Sequence, residues 1–581
     1  MKRRWRLVVF SIMFIARSAP GLALGFWGLL ALTSLIPAGL VYAMGQMAAT
    51  AAADDAAGLG TWAVGWVGLL LFSQSTGPLI ALLEGNLNER LTFTVNRALM
   101  EHVKGFLGLE PFEDESFYAQ VRLLRREATY APMNLSIFLG QAMRGVFTVL
   151  PLLALVGRWS PWLPLGLLLA TLPYAVAGVR LQQLVWSTVV ANDPEARRME
   201  YATGVLLSRE YAAETRVYES GGFWLRRYRA NFDRLHARAR ATRRREVVTT
   251  TAFLLPTALG LGGTFAAVLR LGVGVGGVVE VAAALQRLQT TLVELVDALG
   301  MLERSLFYME ALRDFLASRP RLASGPRLRV GERPPRITFE DVHFSYPDGR
   351  TALVGVSLTL EPGRLHGLVG ENGAGKTTLV KLLLRFYDPS RGRILVDGVD
   401  LRELDLAAWR RRAAAVFQSF GRYALELGEN VALREVGPGD EAALLHALAQ
   451  AGAVELARGL PHGLATMLSK EFGGTEVSGG EWQKVALARA FFRKGARLMV
   501  LDEPSAALDP RSEAHLFRRF AELAAGRTAL LVSHRLGSVR SAERIFVFKQ
   551  GRLLEEGTHE ALLSMEGEYA ELWRLQSRAY A

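Results

Sequence analysis

The sequence predicts two fold classes in one chain: an N-terminal all-α polytopic membrane domain, then a C-terminal α/β domain built around a phosphate-cradling P-loop. Three observations predict this. The chain has 581 residues, 50% of them hydrophobic, with a mean hydropathy of +0.18, and the apolar excess lies before about residue 300; that length is too great for one ordinary domain. Several uncharged runs in that half are long enough to cross ~30 Å of hydrocarbon at about 1.5 Å per residue. In the second half, the apolar run 365–369 feeds Gly370, Glu371, Asn372, Gly373, Ala374, Gly375, Lys376 and Thr377. Those eight residues fit G-x-x-x-x-G-K-[ST], and they sit where strand passes through loop into helix, as that pattern requires.

The elements follow in order. Lys2, Arg3, Arg4 and Arg6 precede a short apolar run that Arg17 interrupts. This reads as an amphipathic elbow helix over about residues 5–17, lying at the inner membrane face, rather than as a cleaved signal peptide. Six spans are expected at about 22–44, 61–83, 135–156, 161–179, 247–269 and 271–302. The last carries Glu280, Arg287, Glu294 and Asp297, and the third carries Gln141 and Arg144. Spans must be helical because backbone polar groups need internal partners in lipid, and the prolines within them do not oppose this. The connection 46–60 holds Asp54 and Asp55 and no Lys or Arg, whereas 84–132 and 180–246 are rich in Arg. The first reads as outside and the other two as inside, which makes the N-terminus cytoplasmic. The net charge of +12 fits the same bias near anionic headgroups, and no nucleic-acid partner is expected. Cysteine is absent, which excludes disulfides and thiolate metal sites. Charged groups at span depth face a bundle interior or water; Glu294 and Asp297 are better placed on a helical extension beyond the bilayer.

Residues 318–336, rich in Pro and Arg, read as the linker between a transmembrane domain at 1–317 and a nucleotide-binding domain at 337–581. Within the latter, glycines let the loop curl so that backbone N–H groups face phosphate oxygens, and the following helix adds its positive end. Lys376 reaches the β and γ phosphates, Thr377 offers its hydroxyl to Mg²⁺, and Thr378 continues the cradle. The apolar strand at 498–501 ends in Asp502, placed to hold Mg²⁺ directly or through water, and Glu503 follows. Between them, Val477, Ser478, Gly479, Gly480 and Glu481 precede a helix expected over 481–493.

That trio of motifs, in that order and spacing, resembles the ATP-binding cassette (ABC) ATPases, and fusion to an N-terminal membrane half resembles ABC exporters. The resemblance covers essentially the whole chain. It implies ATP and Mg²⁺ as cofactors and roles for named residues. Glu503 polarises the attacking water. Gln418 matches the Q-loop, near the metal and water. His534 matches the switch histidine at the γ-phosphate. Asp509 matches the D-loop, which crosses the dimer interface. Tyr346 matches the aromatic that stacks on adenine. Ser478, Gly479 and Gly480 match the signature that completes the partner's ATP site, so two chains sandwich two ATPs. Val477 and Glu481 depart from the common Leu and Gln of that signature. By the same resemblance, residues 114–121 and 220–228 hold the short helices that contact the ATPase domain, and 471–476 a loop beside them. No peptidase domain precedes the spans, so leader cleavage is not expected.

The expectation is a half-transporter in the cytoplasmic membrane that exports a substrate by alternating access, as a homodimer. One half of a heterodimer, an importer or a channel on the same scaffold are the alternatives. A soluble ABC ATPase of DNA repair or translation is disfavoured by the spans. Lipids, hydrophobic small molecules and peptides are all open as cargo.

Overall fold

The structure, a computed structural model, describes residues 2–128, 130–166, 168–169, 194–319, 322–326, 331–504, 520–522 and 524–580. They pack as two units: Met1–His102 with Gln120–Ser318, and Val103–Ala119 with Arg319–Ala581.

The first unit is helical. Its helices are α1 (Lys2–Ser18), α2 (Pro20–Thr33), α3 (Ile36–Ala52), α4 (Ala56–Lys104), α6 (Glu115–Glu127), α7 (Ala131–Gly157), α8 (Pro194–Leu207), α9 (Ala212–Val217), α10 (Gly221–Arg270) and α11 (Gly274–Ala317); α5 (Glu110–Glu113) belongs to the second unit. Among the described residues three stretches are long and apolar enough to cross a membrane: Pro20–Ala52, Ala56–Lys104 and Ala131–Gly157. The fifth expected span falls within α10 and all but residues 271–273 of the sixth within α11, and neither is among those three stretches. Most of the fourth lies outside the described residues.

The first span differs from the continuous helix expected at 22–44: it breaks at Ser34–Leu35 between α2 and α3. Pro37 explains this, because it has no N–H to donate and its ring opposes the carbonyl four residues back. The hydroxyls of Thr33 and Ser34 take up Leu29 O and Ala31 O at 2.8 and 2.6 Å. Elsewhere small residues let helices cross closely. A Cβ on Gly276 of α11 would stand 2.6 Å from Gly45 O of α3. Beside that crossing, the carboxylate of Glu280, which is 1% exposed, is ion-paired with Arg158, whose guanidinium lies 5.0 Å from both the Tyr42 and Trp159 rings.

Two expectations for short contact helices change. Asp114 accepts hydrogen bonds from Ser116 N at 2.8 Å and Phe117 N at 3.4 Å, so it caps the start of α6. Residues 114–121 therefore open a longer helix, and the chain that packs on the core of the second unit is the preceding Leu107, Gly108 and Leu109, with Glu113 of α5 ion-paired to Lys381. Residues 220–228 form the first turns of α10. There Trp224 contacts the Tyr201 and Phe223 rings at 5.7 and 5.1 Å, as aromatics packed between neighbouring helices do.

The second unit holds two sheets. Strands β1 (Ile337–Ser345), β2 (Thr351–Leu360), β4 (Arg391–Val396) and β5 (Val399–Asp400) form an antiparallel sheet in the order β2-β1-β4-β5. The larger sheet has the order β10-β9-β3-β8-β7-β6, built from β3 (Leu365–Gly370), β6 (Ala413–Val416), β7 (Leu498–Asp502), β8 (Thr528–Val532), β9 (Arg544–Lys549) and β10 (Arg552–Gly557). From β9 to β6 it is parallel; only β10 runs against it. Alternate residues of its strands enter two different cores: Val369, Leu501 and Leu531 one, Leu368, Val500 and Leu530 the other. A parallel sheet buried on both faces reads as continuous apolar runs, as 365–369 and 498–501 do.

Candidate nucleotide site

Parallel topology assembles the site. β3, β6, β7 and β8 all end on one edge of the sheet, and each delivers a predicted residue there: Gly370, Gln418, Asp502 with Glu503, and His534. Ligands of open α/β sheets bind outside the carboxyl ends of the strands.

The loop after β3 leads into α12 (Lys376–Leu383). Gly375 caps that helix at φ 100°, and a Cβ there would lie 2.7 Å from Ala352 O. Only glycine fits both the left-handed backbone and the close approach. Glu371, Asn372 and Gly373 are exposed, whereas Ala374, Gly375 and Lys376 are buried. Lys376 Nζ donates to Gly370 O at 2.7 Å and Glu371 O at 2.9 Å. Burial lowers its pKa, opposed by Glu503 and Asp502.

Asp502 is 1% exposed, and neither carboxylate oxygen has a hydrogen-bond partner among the described residues. Burial pushes its pKa up to about 6; Thr377 and Lys376 pull it down, and Glu503 pushes it further up. An orphaned, buried carboxylate with a hydroxyl and an ammonium nearby has the donor set for a hard divalent cation, which takes oxygen ligands. Asp502 and Thr377 therefore fit Mg²⁺.

Glu503 adopts φ 52°, a left-handed backbone unusual for a residue with a side chain, and its N–H donates to Val532 O at 3.0 Å. This turn aims the carboxylate at two other predicted residues. Gln418 Nε2 donates to Glu503 Oε2 at 2.8 Å, and His534 Nδ1 stands 3.4 Å from Glu503 Oε1. Sequence reasoning missed Gln576, in α15 (Glu568–Tyr580) near the C-terminus. Its side chain donates to His534 O at 2.5 Å and accepts from Leu536 N at 2.9 Å, which pins the loop that carries the histidine. No local motif marks it.

Tyr346 is 9% exposed, in ring contact with Phe344 and Tyr387, and its hydroxyl is 2.9 Å from Thr378 Oγ1. The tyrosine is thus a packed neighbour of the loop rather than an exposed turn residue.

The signature opens α14 (Gly479–Phe492), two residues earlier than expected. Ser478 is its cap and is exposed; Gly479 and Gly480 are half-buried. Among the described residues no hydrogen bond or ion pair joins Ser478 to the cluster around Glu503. Asp509 lies outside the described residues.

The ABC transporter family matches residues 353–506. The chain is 26% identical over 507 residues to the subtilin transport ATP-binding protein SpaT of Bacillus subtilis, covering 86% of this chain and 82% of that protein. It is 32% identical over 333 residues to the ATP-dependent lipid A-core flippase of Alcanivorax borkumensis, covering 57% of each. Its fold is similar to that of a bacterial Atm1-family ABC exporter solved with ATP bound, with a TM-score of 0.76, 24% identity and coverage of 96% and 98%. Residues 353–506 carry the ABC transporter domain, an ABC-type ATPase, and the chain places it behind a helical unit with apolar, membrane-length helices.

Proposed function

We propose that two copies of this chain use ATP to export an amphipathic or hydrophobic cargo across the cytoplasmic membrane. The observation that carries this reading is the convergence of Gln418, His534 and Glu503 on one sheet edge, beside the orphaned carboxylate of Asp502. The loop amides and the positive end of α12 hold the phosphates. Lys376 gives up Gly370 O and Glu371 O to pair with the β and γ oxygens. Asp502 and Thr377 hold Mg²⁺, with Gln418 beside it; bound there, the cation neutralises phosphate charge. Glu503 orients the attacking water, Gln418 fixes the carboxylate through its amide, and His534 stands on the other carboxylate oxygen, toward the γ-phosphate. Tyr346 receives the adenine once Arg350, whose guanidinium lies 4.8 Å from its ring centroid, moves aside.

The exposed Ser478 and the half-buried Gly479 and Gly480 at the start of α14 support completion of the partner's site across a dimer, with Asp509 at the same interface. ATP then closes the two nucleotide-binding domains on each other, and hydrolysis separates them. A complete set of motif residues in one chain supports a homodimer. One relative is named for subtilin and another for lipid A-core; the cargo proposed is a lipid, a hydrophobic small molecule or a peptide.

The test is the mass of the chain expressed alone and purified into lipid nanodiscs with Mg-ATP. Two identical copies per disc are expected. A second chain of different sequence that co-purifies, or a particle that stays monomeric with ATP, contradicts the homodimer.

A further inference from the structure

Arg410 lies in the last turn of α13 (Leu406–Arg411), just before β6 and the loop that carries Gln418. Its Nη2 donates to Leu107 O at 2.8 Å and Arg385 O at 2.7 Å, and its Nε to Leu384 O at 3.1 Å. Two of these carbonyls lie just past the C-terminal end of α12, where a cation is favoured. The third belongs to the segment 107–113 packed on the core. No carboxylate pairs with Arg410 among the described residues. Burial and the neighbouring Arg385 lower its pKa to about 10. Arg410 is half-buried, and a cation withdrawn from water this far is more often paired with a carboxylate than held by carbonyls alone.

Phe386 is the hub. Arg410 Cζ lies 4.7 Å from its ring centroid, and the Phe417 ring is 5.9 Å away on the residue before Gln418. Phe386 O accepts from Leu109 N at 3.2 Å. Gly108 sits so close that a Cβ there would fall 2.9 Å from Phe386 O. The segment therefore grips Phe386 by its backbone, while Arg410 grips both the segment and the ring.

We propose that Arg410 is a positioning residue: through Phe386 and Phe417 it sets the placement of Gln418 on Glu503, and it ties that placement to the docking of Leu107, Gly108 and Leu109. The inference rests on the catalytic reading of Gln418 and Glu503 given above. Only arginine does this, because its planar fork serves several carbonyls at once while its face stacks on an aromatic ring; lysine is a point charge.

The experiment uses the full chain in lipid nanodiscs and reads ATP turnover, KM for ATP, thermal midpoint and hydrogen exchange of the 413–420 peptide. Arg410→Lys keeps the charge and loses the fork; Phe386→Leu keeps the carbonyl and loses the ring; Gly108→Ala pushes the segment off Phe386 O. Each is expected to lower kcat about tenfold, to leave KM and thermal midpoint near the wild-type values, and to speed exchange at 413–420. Arg410→Lys combined with Gly108→Ala should be no slower than the slower single variant, as for residues on one path. Wild-type kcat and exchange in Arg410→Lys and Phe386→Leu overturn the proposal. So do losses that multiply in the double variant, or a kcat loss that merely follows a lowered thermal midpoint. Gln418→Ala and Glu503→Gln serve as references. If they turn over normally, the catalytic reading itself fails; if they are inactive while Arg410→Lys is normal, only this inference fails.

Discussion

Ser478 and Glu481 cap the signature helix reciprocally: Ser478 N donates to Glu481 Oε2 at 2.7 Å, and Glu481 N donates to Ser478 Oγ at 3.3 Å. This is a capping box, which satisfies two of the unpaired amides at the start of α14. It gives the departure from the common Gln a physical basis, since a carboxylate both accepts from the cap amide and complements the positive end of the helix.

Glu481→Gln keeps an acceptor at that position. Turnover within about twofold of wild type and an unchanged thermal midpoint are predicted. Glu481→Ala loses the acceptor and is expected to cost about 1 kcal/mol of local stability, seen as a lower thermal midpoint of the ATPase transition. A large loss of turnover in Glu481→Gln at full stability would show that the charge itself acts on the partner's ATP.

The buried Asp502 sets a pH dependence for the unliganded chain. Its pKa rises from 3.8 to about 6 because burial disfavours the charged form. For such a group the stabilising contribution is fully present below the unfolded value and is lost as pH rises through the folded one. Between about pH 4 and 7, wild type should therefore lose thermal stability relative to Asp502→Asn. The loss should be of the order of 3 kcal/mol at the upper end, while the variant loses turnover. Parallel pH profiles of melting for the two proteins would refute the assignment.

The Arg158–Glu280 pair in the helical unit is buried on the glutamate side. Breaking a buried pair leaves an uncompensated charge and typically costs about 3–5 kcal/mol, whereas replacing both partners with apolar residues is often tolerated. Glu280→Leu and Arg158→Leu should each lower the thermal midpoint in nanodiscs, and the double variant should recover much of the loss. Additive losses would mean that the two charges act separately.

What was legible in the sequence follows the range of the interactions. The P-loop and Asp502 are local: a strand, a glycine-rich turn and a helix start lie within a few residues, so geometry follows from order. Gln418, Glu503 and His534 lie far apart in sequence, and their residue types alone do not bring them together; resemblance assigned them roles, and the parallel order β3-β8-β7-β6 supplies the meeting point. The break at Ser34–Leu35 had a local signal in Pro37 that the apolar run masked. The contact helix was misplaced because Asp114 caps the longer helix α6, so the docked segment ends before 114–121 rather than within it. Gln576 and the Arg158–Glu280 pair are long-range contacts without a motif, and nothing near them in sequence announces a partner.

The central claim is that Glu503, held by Gln418, drives ATP hydrolysis by this chain. The most direct measurement is steady-state ATP turnover of the chain purified alone into lipid nanodiscs, beside Glu503→Gln. The account predicts measurable wild-type turnover and a loss of at least about a hundredfold in Glu503→Gln, with Mg-ATP still bound. Equal turnover in the two proteins, or loss of ATP binding along with turnover, would contradict it.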